Sequence, residues 1–438
     1  MKLSTQPYKG ARDFYPEDKR LQKYMFNTMR KVVERFGYEE YDAPILEPIE
    51  LYLAKSGEEI VHEQTYVFKD RGDRTVTIRP EMTPTVSRMV AAKRQELAYP
   101  LRWYSIPNLW RYERPQRGRL REHWQLNVDV FGIDNSTAEA EMIQVVDGIL
   151  KAFGATHDMY SIRLNSRKLM DFIMHGYLGL NDTQAHTLAK LIDRMHKMPS
   201  EEFAAAVDAL CTPTQREDGV SNKLLGLLKI KSIDHLPEVI RHHHSVKELK
   251  DLMTFLSEAR IPNAVFDITL MRGFDYYTDI VFEVFDKSPE NNRSMFGGGR
   301  YDGLVGLFGV DPVPTVGFGM GDVGLQNFLE VHDLLPKLRP EADVYVVLIG
   351  EDMYLKAQHI IRELRDMGAN VFVDTSGRKP DKQIKSAVKK NIHYAMFIGE
   401  NELKEEVYTI RNLNTSAEEK HSAARIVSIV SDYRDEDL

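Results

Sequence analysis

The period of the hydrophobic pattern changes several times along the chain. Between residues 17 and 36, apolar side chains recur at helical spacing, which predicts an amphipathic helix that ends near Gly37. Stretches rich in apolar and β-branched residues predict strands at 64–68, 74–79, 101–113, 123–131, 264–271 and 276–285. Together these strands indicate a mainly antiparallel sheet.

Two later segments have patterns of their own. From about Ser166 to Ala259 the pattern is almost wholly helical. After Pro340, short apolar strands alternate with helical patterns: strands at 344–349, 370–374 and 394–398, and helices at 352–367 and 380–391. This alternation predicts a small α/β domain centred on parallel strands.

A run of arginines interrupts the sheet pattern. Five arginines lie among the eleven residues from Arg111 to Arg121. The following strand has an apolar face and a polar face, formed respectively by Trp124, Leu126, Val128 and Val130 and by Gln125, Asn127 and Asp129. Because Leu109–Glu113 also alternates, we predict a β-hairpin with its loop around Pro115 and Gly118.

The arginine-rich loop suits a polyphosphate substrate. Guanidinium groups bind phosphate oxygens bidentately and stay charged at any working pH, and the polar strand face lies beside them. A solvated basic turn is the alternative interpretation for the arginines taken alone.

Composition limits the remaining choices. With 438 residues, 42% hydrophobic and 28% charged, the chain should form two or three domains with an ordinary core. The net charge is -8, but basic residues are concentrated at 111–121 and 378–390, so a polyanionic partner stays possible. For the second patch, a solvated helix face is the alternative.

Cysteine content and apolar runs exclude several classes. The single Cys211 excludes an internal disulfide and a cysteine-cluster metal site. No apolar run approaches the roughly 20 residues that span a bilayer, so no membrane partner is expected. The first ten residues lack the apolar block of a signal peptide, and a cytoplasmic location is therefore expected.

Several segments carry a family resemblance. Arg111–Glu113, the loop and the next strand resemble motif 2 of class II aminoacyl-tRNA synthetases, in the version of the histidyl-tRNA synthetase family. Met271–Tyr277, followed by Val281–Glu283, and Gly297–Leu304 resemble the histidine-specific signatures of that family, and Arg79–Thr83 is a third such segment. Tyr41–Pro48 resembles motif 1, which carries a proline at the dimer interface.

The resemblance covers nearly the whole chain and implies an architecture. Residues 1–335 would form an α+β catalytic domain, built on an antiparallel sheet with flanking helices and a helical insertion at about 166–259 that approaches the acceptor stem of tRNA. Residues 341–438 would form an α/β anticodon-binding domain. The implied molecule is a homodimer that joins histidine to ATP, forming histidyl-adenylate, and then transfers histidine to the 3′ end of tRNA(His).

The resemblance also implies an ATP site. Arg111 should bind the α-phosphate, while Arg119 and Arg121 in the loop approach the outer phosphates or the tRNA end. Glu113 should meet the adenine amino group, and His123 stands where the family usually carries a phenylalanine stacked on adenine. ATP is expected as substrate with Mg²⁺, and we predict no metal site built from side chains.

Histidine recognition and catalysis are implied in the same way. The residues expected around the amino acid are Glu81, Thr83, Gln125, Asp129, Tyr277 and Tyr301. Two carboxylates among them would counter the α-ammonium charge, and the two tyrosines would flank the imidazole. Arg272 and Arg111 are the expected catalytic residues, with Arg272 stabilising charge at the α-phosphate as the carboxylate of histidine attacks.

One departure from the family pattern affects the ATP site. Motif 3 normally ends in an arginine that flanks ATP, and Gly324 stands at that place. We predict that another basic side chain, with Arg300 as the candidate, partly compensates.

Two other functions are weighed against the ligase. The regulatory subunit of the first enzyme of histidine biosynthesis is a non-catalytic paralogue of this family, but it lacks the anticodon domain and usually degrades the signature around Arg272. A synthetase-like sensor of uncharged tRNA would be attached to a larger regulatory chain. This chain retains the signature and the domain, so both alternatives are disfavoured.

Three further patterns are given ordinary structural interpretations. Gly317-x-Gly319-x-Gly321 lacks the spacing of dinucleotide and P-loop fingerprints. His242–His244 has no carboxylate or cysteine at metal-ligand spacing and is interpreted as a solvated helix end. Cys211 is interpreted as a small filler among helices.

Overall fold

Antiparallel pairing dominates the first part of the chain, as the strand pattern predicts. The computed structural model describes residues 3–53, 64–271, 276–291 and 293–435. The chain divides into two units, Met1–Phe14 with Gln22–Leu335 and Tyr15–Leu21 with Pro336–Leu438.

The strands described before Leu335 are β1 Glu39–Glu40, β2 Leu46–Pro48, β3 Tyr66–Lys69, β4 Thr75–Ile78, β5 Leu101–Ser105, β6 Asn108–Trp110, β7 Glu122–Phe131, β8 Tyr160–Ser166, β9 Ala264–Phe266, β10 Ile280–Asp286, β11 Ser294–Arg300 and β12 Thr315–Gly321. The main sheet has the order β1-β5-β7-β12-β11-β10-β8-β9, and β6 pairs with β7. Only β1–β5 and β8–β9 are parallel among its described pairs. The predicted antiparallel catalytic fold is confirmed, with a smaller sheet β2-β4-β3 beside it.

The helices described before Leu335 are α1 Pro16–Arg35, α2 Glu50–Leu53, α3 Thr83–Ala92, α4 Thr137–Ala152, α5 Arg167–Asp171, α6 Asp182–Arg194, α7 Ser200–Leu210, α8 Pro213–Glu217, α9 Val220–Leu227, α10 Glu238–Arg241, α11 His244–Glu258 and α12 Asp322–Val331. A π-helical turn at Phe172–Tyr177 continues α5. Helices α5 to α11 fill the segment that was predicted to be helical. Cys211 is buried there, 3% exposed, and the ring of His243 stacks on Phe172 at 4.2 Å.

The arginine-rich hairpin forms, but its first strand is shorter than predicted. The predicted strand 101–113 is divided at Pro107, whose nitrogen carries no hydrogen for the ladder, and its second part ends at Trp110. Arg111 and Glu113 therefore lie in the loop and not on a strand face. The Arg111 amide donates to the Arg121 carbonyl at 2.8 Å and closes the base of the loop.

The second unit is a mixed α/β domain. Its elements are β13 Val344–Leu348, α13 Met353–Lys356, α14 Gln358–Asp366, β14 Val371–Val373, α15 Pro380–Lys389, β15 Tyr394–Ile398, α16 Glu400–Glu405, β16 Tyr408–Asn412, β17 Glu418–His421 and α17 Ala423–Asp435. The sheet order is β14-β13-β15-β16-β17, with parallel pairing up to β15 and antiparallel pairing beyond it. Helix α14 packs on one face of β13 and α15 on the other. In the described ranges of both units, every helix is too short or too polar to cross a membrane.

Candidate active site

The floor of the candidate site is made by the polar face of β7 and the glycines of β12. Asp129 pairs in register with Gly317, and Asn127 pairs with Gly319. A Cβ atom on Gly317 would lie 2.0 Å from Asp129 Oδ1, and one on Gly319 would lie 2.1 Å from Gln125 Nε2. The glycine repeat is therefore a strand that leaves room for polar side chains, and it is not a nucleotide-binding loop.

Asp129 is the central carboxylate of this floor. It is 4% exposed, and its Oδ1 accepts a hydrogen bond from the hydroxyl of Tyr301, which is itself 2% exposed. Burial raises the pKa of Asp129 to about 7, against the opposing effect of the Tyr301 hydrogen bond. The carboxyl group thus has a pKa near neutral pH.

Tyr276 joins a second carboxylate to this centre. Its hydroxyl donates to Glu81 Oε2 at 3.2 Å and lies 3.5 Å from Thr83 Oγ1. The Tyr276 ring lies 4.8 Å from that of Tyr277 and 5.7 Å from that of Tyr301, measured between centroids. The structure thus brings four of the predicted histidine-site residues together around a tyrosine that the sequence prediction passed over.

The arginines of the loop are held in different ways. Arg111 Nε donates to the carbonyl of Pro80 at 2.9 Å, which ties Arg111 to the segment that carries Glu81. The Arg121 guanidinium lies 3.9 Å above the ring of Tyr112. Arg119 is 66% exposed and lies 3.8 Å from Glu113, measured from Nη1 to Oε2. Of these arginines, Arg111 is the one bound to the histidine side of the site.

His123 stands two residues before Gln125 on the same face of β7. Its Nδ1 atom is buried and has no hydrogen-bond partner among the described residues. Burial and the positive charges of Arg111 and Arg12 lower the pKa of His123 to about 3. The ring is therefore a neutral imidazole, which is suited to stack on a base.

Two predicted arginines remain to be placed. Arg272 belongs to residues 272–275, which lie outside the described part of the chain. Arg300 lies on the opposite face of the sheet from Tyr301, and its guanidinium makes a bidentate ion pair with Glu139 of α4. The two nitrogen–oxygen distances are 2.7 and 2.8 Å, and Arg300 is 5% exposed. The prediction that Arg300 compensates for Gly324 is wrong, because its guanidinium is bound to Glu139 and to the carbonyls of Ile133 and Asn135.

Comparisons with known proteins give matches over most of the chain. A family model described as "Histidyl-tRNA synthetase" matches residues 10–321, and one described as "Anticodon binding domain" matches residues 343–433. The chain is 43% identical over 416 residues to the histidine–tRNA ligase of Leptospira biflexa, covering 94% of both chains. It is 37% identical to that of Thermoplasma volcanium, covering 95% of this chain and 96% of the relative.

A solved structure shows the same fold. The crystal structure of histidyl-tRNA synthetase from Nostoc sp. PCC 7120 superposes with a TM-score of 0.82 at 23% identity, covering 99% of this chain and 100% of that one. The folds of the two units therefore have a known counterpart.

Proposed function

The chain belongs to the histidyl-tRNA synthetase family of class II aminoacyl-tRNA synthetases and is a histidine–tRNA ligase, and from this premise we propose how its site performs the reaction. The observation that carries the proposal is the buried cluster of Asp129, Tyr301, Glu81 and Tyr276, with Arg111 anchored beside it. Such a cluster supplies negative charge for an amino acid next to positive charge for a phosphate.

Histidine would lie on the floor formed by β7 and β12. The carboxylates of Asp129 and Glu81 would counter its α-ammonium group, and Thr83 and Gln125 would complete the polar contacts. Tyr277 and Tyr301 would flank the imidazole. Because buried polar groups lose their partners when the wrong amino acid binds, this arrangement would reject side chains that cannot form hydrogen bonds.

ATP would lie along the hairpin. Arg111 would bind the α-phosphate, Glu113 the adenine amino group, and His123 the face of the base. Arg119 and Arg121 would approach the outer phosphates when the loop closes on them. Mg²⁺ would enter with ATP, bound to the phosphates, where it offsets their negative charge.

The chemistry requires no side-chain nucleophile. A carboxylate oxygen of histidine would attack the α-phosphorus, a new oxygen–phosphorus bond would form, and pyrophosphate would leave. Arg272 and Arg111 would stabilise the charge that develops at the α-phosphate. In the second step, a ribose hydroxyl at the 3′ end of tRNA(His) would attack the histidyl carbonyl and AMP would leave.

Histidine-dependent exchange of labelled pyrophosphate into ATP tests the first step directly. We expect exchange that depends on histidine and on no other amino acid, followed by charging of tRNA(His) in the complete reaction. A folded enzyme with no histidine-dependent exchange would overturn the assignment.

The pKa of Asp129 predicts a pH dependence. Below about pH 7 Asp129 is protonated and neutral, and a neutral carboxyl group does not attract the α-ammonium group of histidine. Above that pH the carboxylate is charged. We therefore expect kcat/KM for histidine to rise as pH increases through about 7, measured by exchange at saturating ATP.

Free histidine also titrates, so this measurement needs a control. The Asp129→Asn variant keeps the contribution of the substrate imidazole but loses that of the carboxyl group. The difference between the two pH profiles is therefore due to Asp129. If both profiles had the same shape, Asp129 would not titrate in this range.

The second unit is proposed to bind the anticodon loop of tRNA(His). A cavity of about 670 Å³ opens at the carboxyl ends of β13 and β14, where Lys379 lines it. Lys382 lies exposed on the first turn of α15, next to this cavity. A basic helix end beside a polar cavity is suited to a phosphate backbone with unstacked bases.

Replacing Lys379 and Lys382 with alanine should weaken tRNA binding and leave amino-acid activation unchanged. The slope of log affinity against log salt concentration is negative, and each lost phosphate contact reduces its magnitude by roughly one. In the double variant the magnitude should therefore decrease by roughly two. The matched control is Lys404→Ala with Lys420→Ala, which removes two exposed lysines of the same unit. Equal salt slopes for the two double variants would place the tRNA contact elsewhere.

We also propose a homodimer in the cytoplasm. Ile45, Leu46 and Leu53, with Val67 and Phe68 of β3, are each 44–51% exposed on or beside the small sheet. A group of exposed large apolar side chains is typical of a protein interface, and it lies next to the motif 1 segment. The cytoplasm is where ATP and tRNA meet in translation.

A further inference from the structure

The N-terminal segment lies against the start of β7. The Gly10 carbonyl accepts hydrogen bonds from the amides of Arg121 and Glu122, at 2.9 and 3.1 Å. The ring of Phe14 meets that of Trp124 edge-on, with 5.2 Å between centroids. The segment between these two contacts therefore lies beside the strand that carries His123.

Arg12 lies within this segment and is held by an acidic residue of α12. Its Nη2 atom lies 2.6 Å from Asp322 Oδ2, while Asp322 Oδ1 accepts the Trp124 amide at 2.9 Å. The side chain of Asp322 is 5% exposed. The Arg12 guanidinium also lies 4.8 Å above the ring of Phe14. These contacts fix the Arg12 guanidinium between β7 and the first turn of α12. Its partner Asp322 lies two residues before Gly324 in the sequence.

The polar groups around Arg12 are not all satisfied. Arg12 Nε is buried without a hydrogen-bond partner in the described part of the chain, as is His123 Nδ1. The positive charges of Arg12 and Arg111 both lower the pKa of His123, so the three side chains share one electrostatic environment. Asp322 pairs with Arg12, whereas Arg111 Nε donates to the uncharged Pro80 carbonyl, so the two guanidinium groups place positive charge near a neutral aromatic ring. A nucleoside triphosphate, with a flat base and negative phosphates, complements this arrangement.

We propose that Arg12 is an ATP-binding residue, which brings from the N-terminal segment the guanidinium that Gly324 does not provide. The proposal rests on the proposed ligase function. Asp322 is the positioning residue, since it binds one Nη atom of Arg12 and thereby orients the rest of the guanidinium group. Gly324 itself has space beside it: among the described residues, a Cβ atom there would meet only the Met295 carbonyl, at 3.4 Å.

Exchange of pyrophosphate at varied ATP and saturating histidine tests this role. Removing one or more charged hydrogen bonds in Arg12→Ala should raise the KM for ATP by about 10- to 100-fold. The KM for histidine should stay close to that of the wild type, because Arg12 lies on the nucleotide side. Arg12→Lys keeps a charge near Asp322 but loses the planar guanidinium group. Its KM for ATP should therefore lie between those of the wild type and Arg12→Ala.

Two comparisons separate ATP binding from a purely structural role. Arg94→Ala is the matched control: the Arg94 guanidinium lies 4.7 Å above the ring of Tyr99, and its Nε is likewise buried with no hydrogen-bond partner among the residues that the structure describes. This variant should keep the wild-type KM for ATP. Introducing Gly324→Arg into Arg12→Ala should restore part of the ATP affinity, since it returns a guanidinium to the same region.

The possible failures are distinguishable. Absence of exchange in the wild type would overturn the ligase assignment itself. An active wild type with an unchanged KM for ATP in Arg12→Ala would overturn only the role of Arg12. So would a rise in the KM for tRNA alone, which would assign Arg12 to the tRNA end. If Arg12→Ala does not fold by circular dichroism, Arg12→Lys decides, and a wild-type KM for ATP in that variant would overturn the proposal.

Discussion

Replacing Arg272 with alanine should lower the kcat of histidine-dependent pyrophosphate exchange by about 10²- to 10³-fold. Negative charge develops on the α-phosphate oxygens and on the departing pyrophosphate only as the reaction proceeds. A guanidinium that meets this charge acts in the transition state, so its loss should reduce kcat and leave the KM for histidine and ATP little changed. Arg111 would remain and supply part of the stabilisation.

The surroundings of the Arg272 segment fit this role. The Leu270 carbonyl, before the segment, accepts a hydrogen bond from Asn165 Nδ2 at 3.1 Å. Tyr276, after it, donates to Glu81 in the site. Described residues on both sides of 272–275 are thus held by hydrogen bonds, and one of them, Tyr276, contacts the predicted histidine-site residue Glu81.

Arg102→Ala provides the control for Arg272. Arg102 is a partly exposed arginine on the opposite face of the sheet, where it pairs with Glu141 of α4 at 2.8 Å. Its loss should affect stability slightly and kcat hardly at all. A near-wild-type kcat for Arg272→Ala would mean that another group meets the transition-state charge, and the catalytic role of Arg272 would be wrong.

The polar face of β7 could be predicted from the sequence because it depends on backbone geometry alone. Alternate residues of a strand point to one face, so Gln125 and Asp129 had to share a surface wherever the strand lay. The same rule excludes Arg300 from the site once Tyr301 is placed there. Arg300 is the sequence-based candidate to replace the guanidinium that Gly324 does not provide, but its ion pair with Glu139 directs it away from the site.

Other features depend on contacts that no local pattern contains. Tyr276 and Tyr277 are neighbours with equal propensities, and only the position of Glu81 shows which hydroxyl reaches it. Gly317 is required by the side chain of Asp129 on a neighbouring strand. Arg12 and Asp322 meet across 310 residues of sequence. Such pairs follow from the order of the strands in the sheet, and the pattern of a single strand does not contain that order.

The last strand of the second unit was not predicted from the sequence, for a different reason. Strand β17, Glu418–His421, consists of charged residues at the edge of the sheet and has no apolar face. An edge strand of this kind is typical of sheets that avoid edge-to-edge pairing, but its composition resembles that of a loop. The sheet becomes mixed at β16, which pairs antiparallel with β15 and was also not predicted, so both antiparallel strands appear only in the structure.

Replacing Arg300 with methionine should lower the free energy of unfolding by about 3–5 kcal/mol. The change leaves the Glu139 carboxylate, 1% exposed, without its bidentate partner. Burial already raises the pKa of Glu139, and the Arg300 ion pair opposes that shift. Urea unfolding followed by tryptophan fluorescence measures the effect in the right unit, because all three tryptophans of the chain precede Leu335.

The double variant Arg300→Met with Glu139→Leu separates the ion pair from any role in ATP binding. Replacing both charges by apolar groups of similar size should recover most of the lost stability, since no unpaired charge then remains buried. A double variant with wild-type stability and a wild-type KM for ATP would show that Arg300 is a structural residue. A stable double variant with a raised KM for ATP would instead mean that Arg300 reaches the nucleotide during the reaction, which would require the Glu139 pair to open when ATP binds.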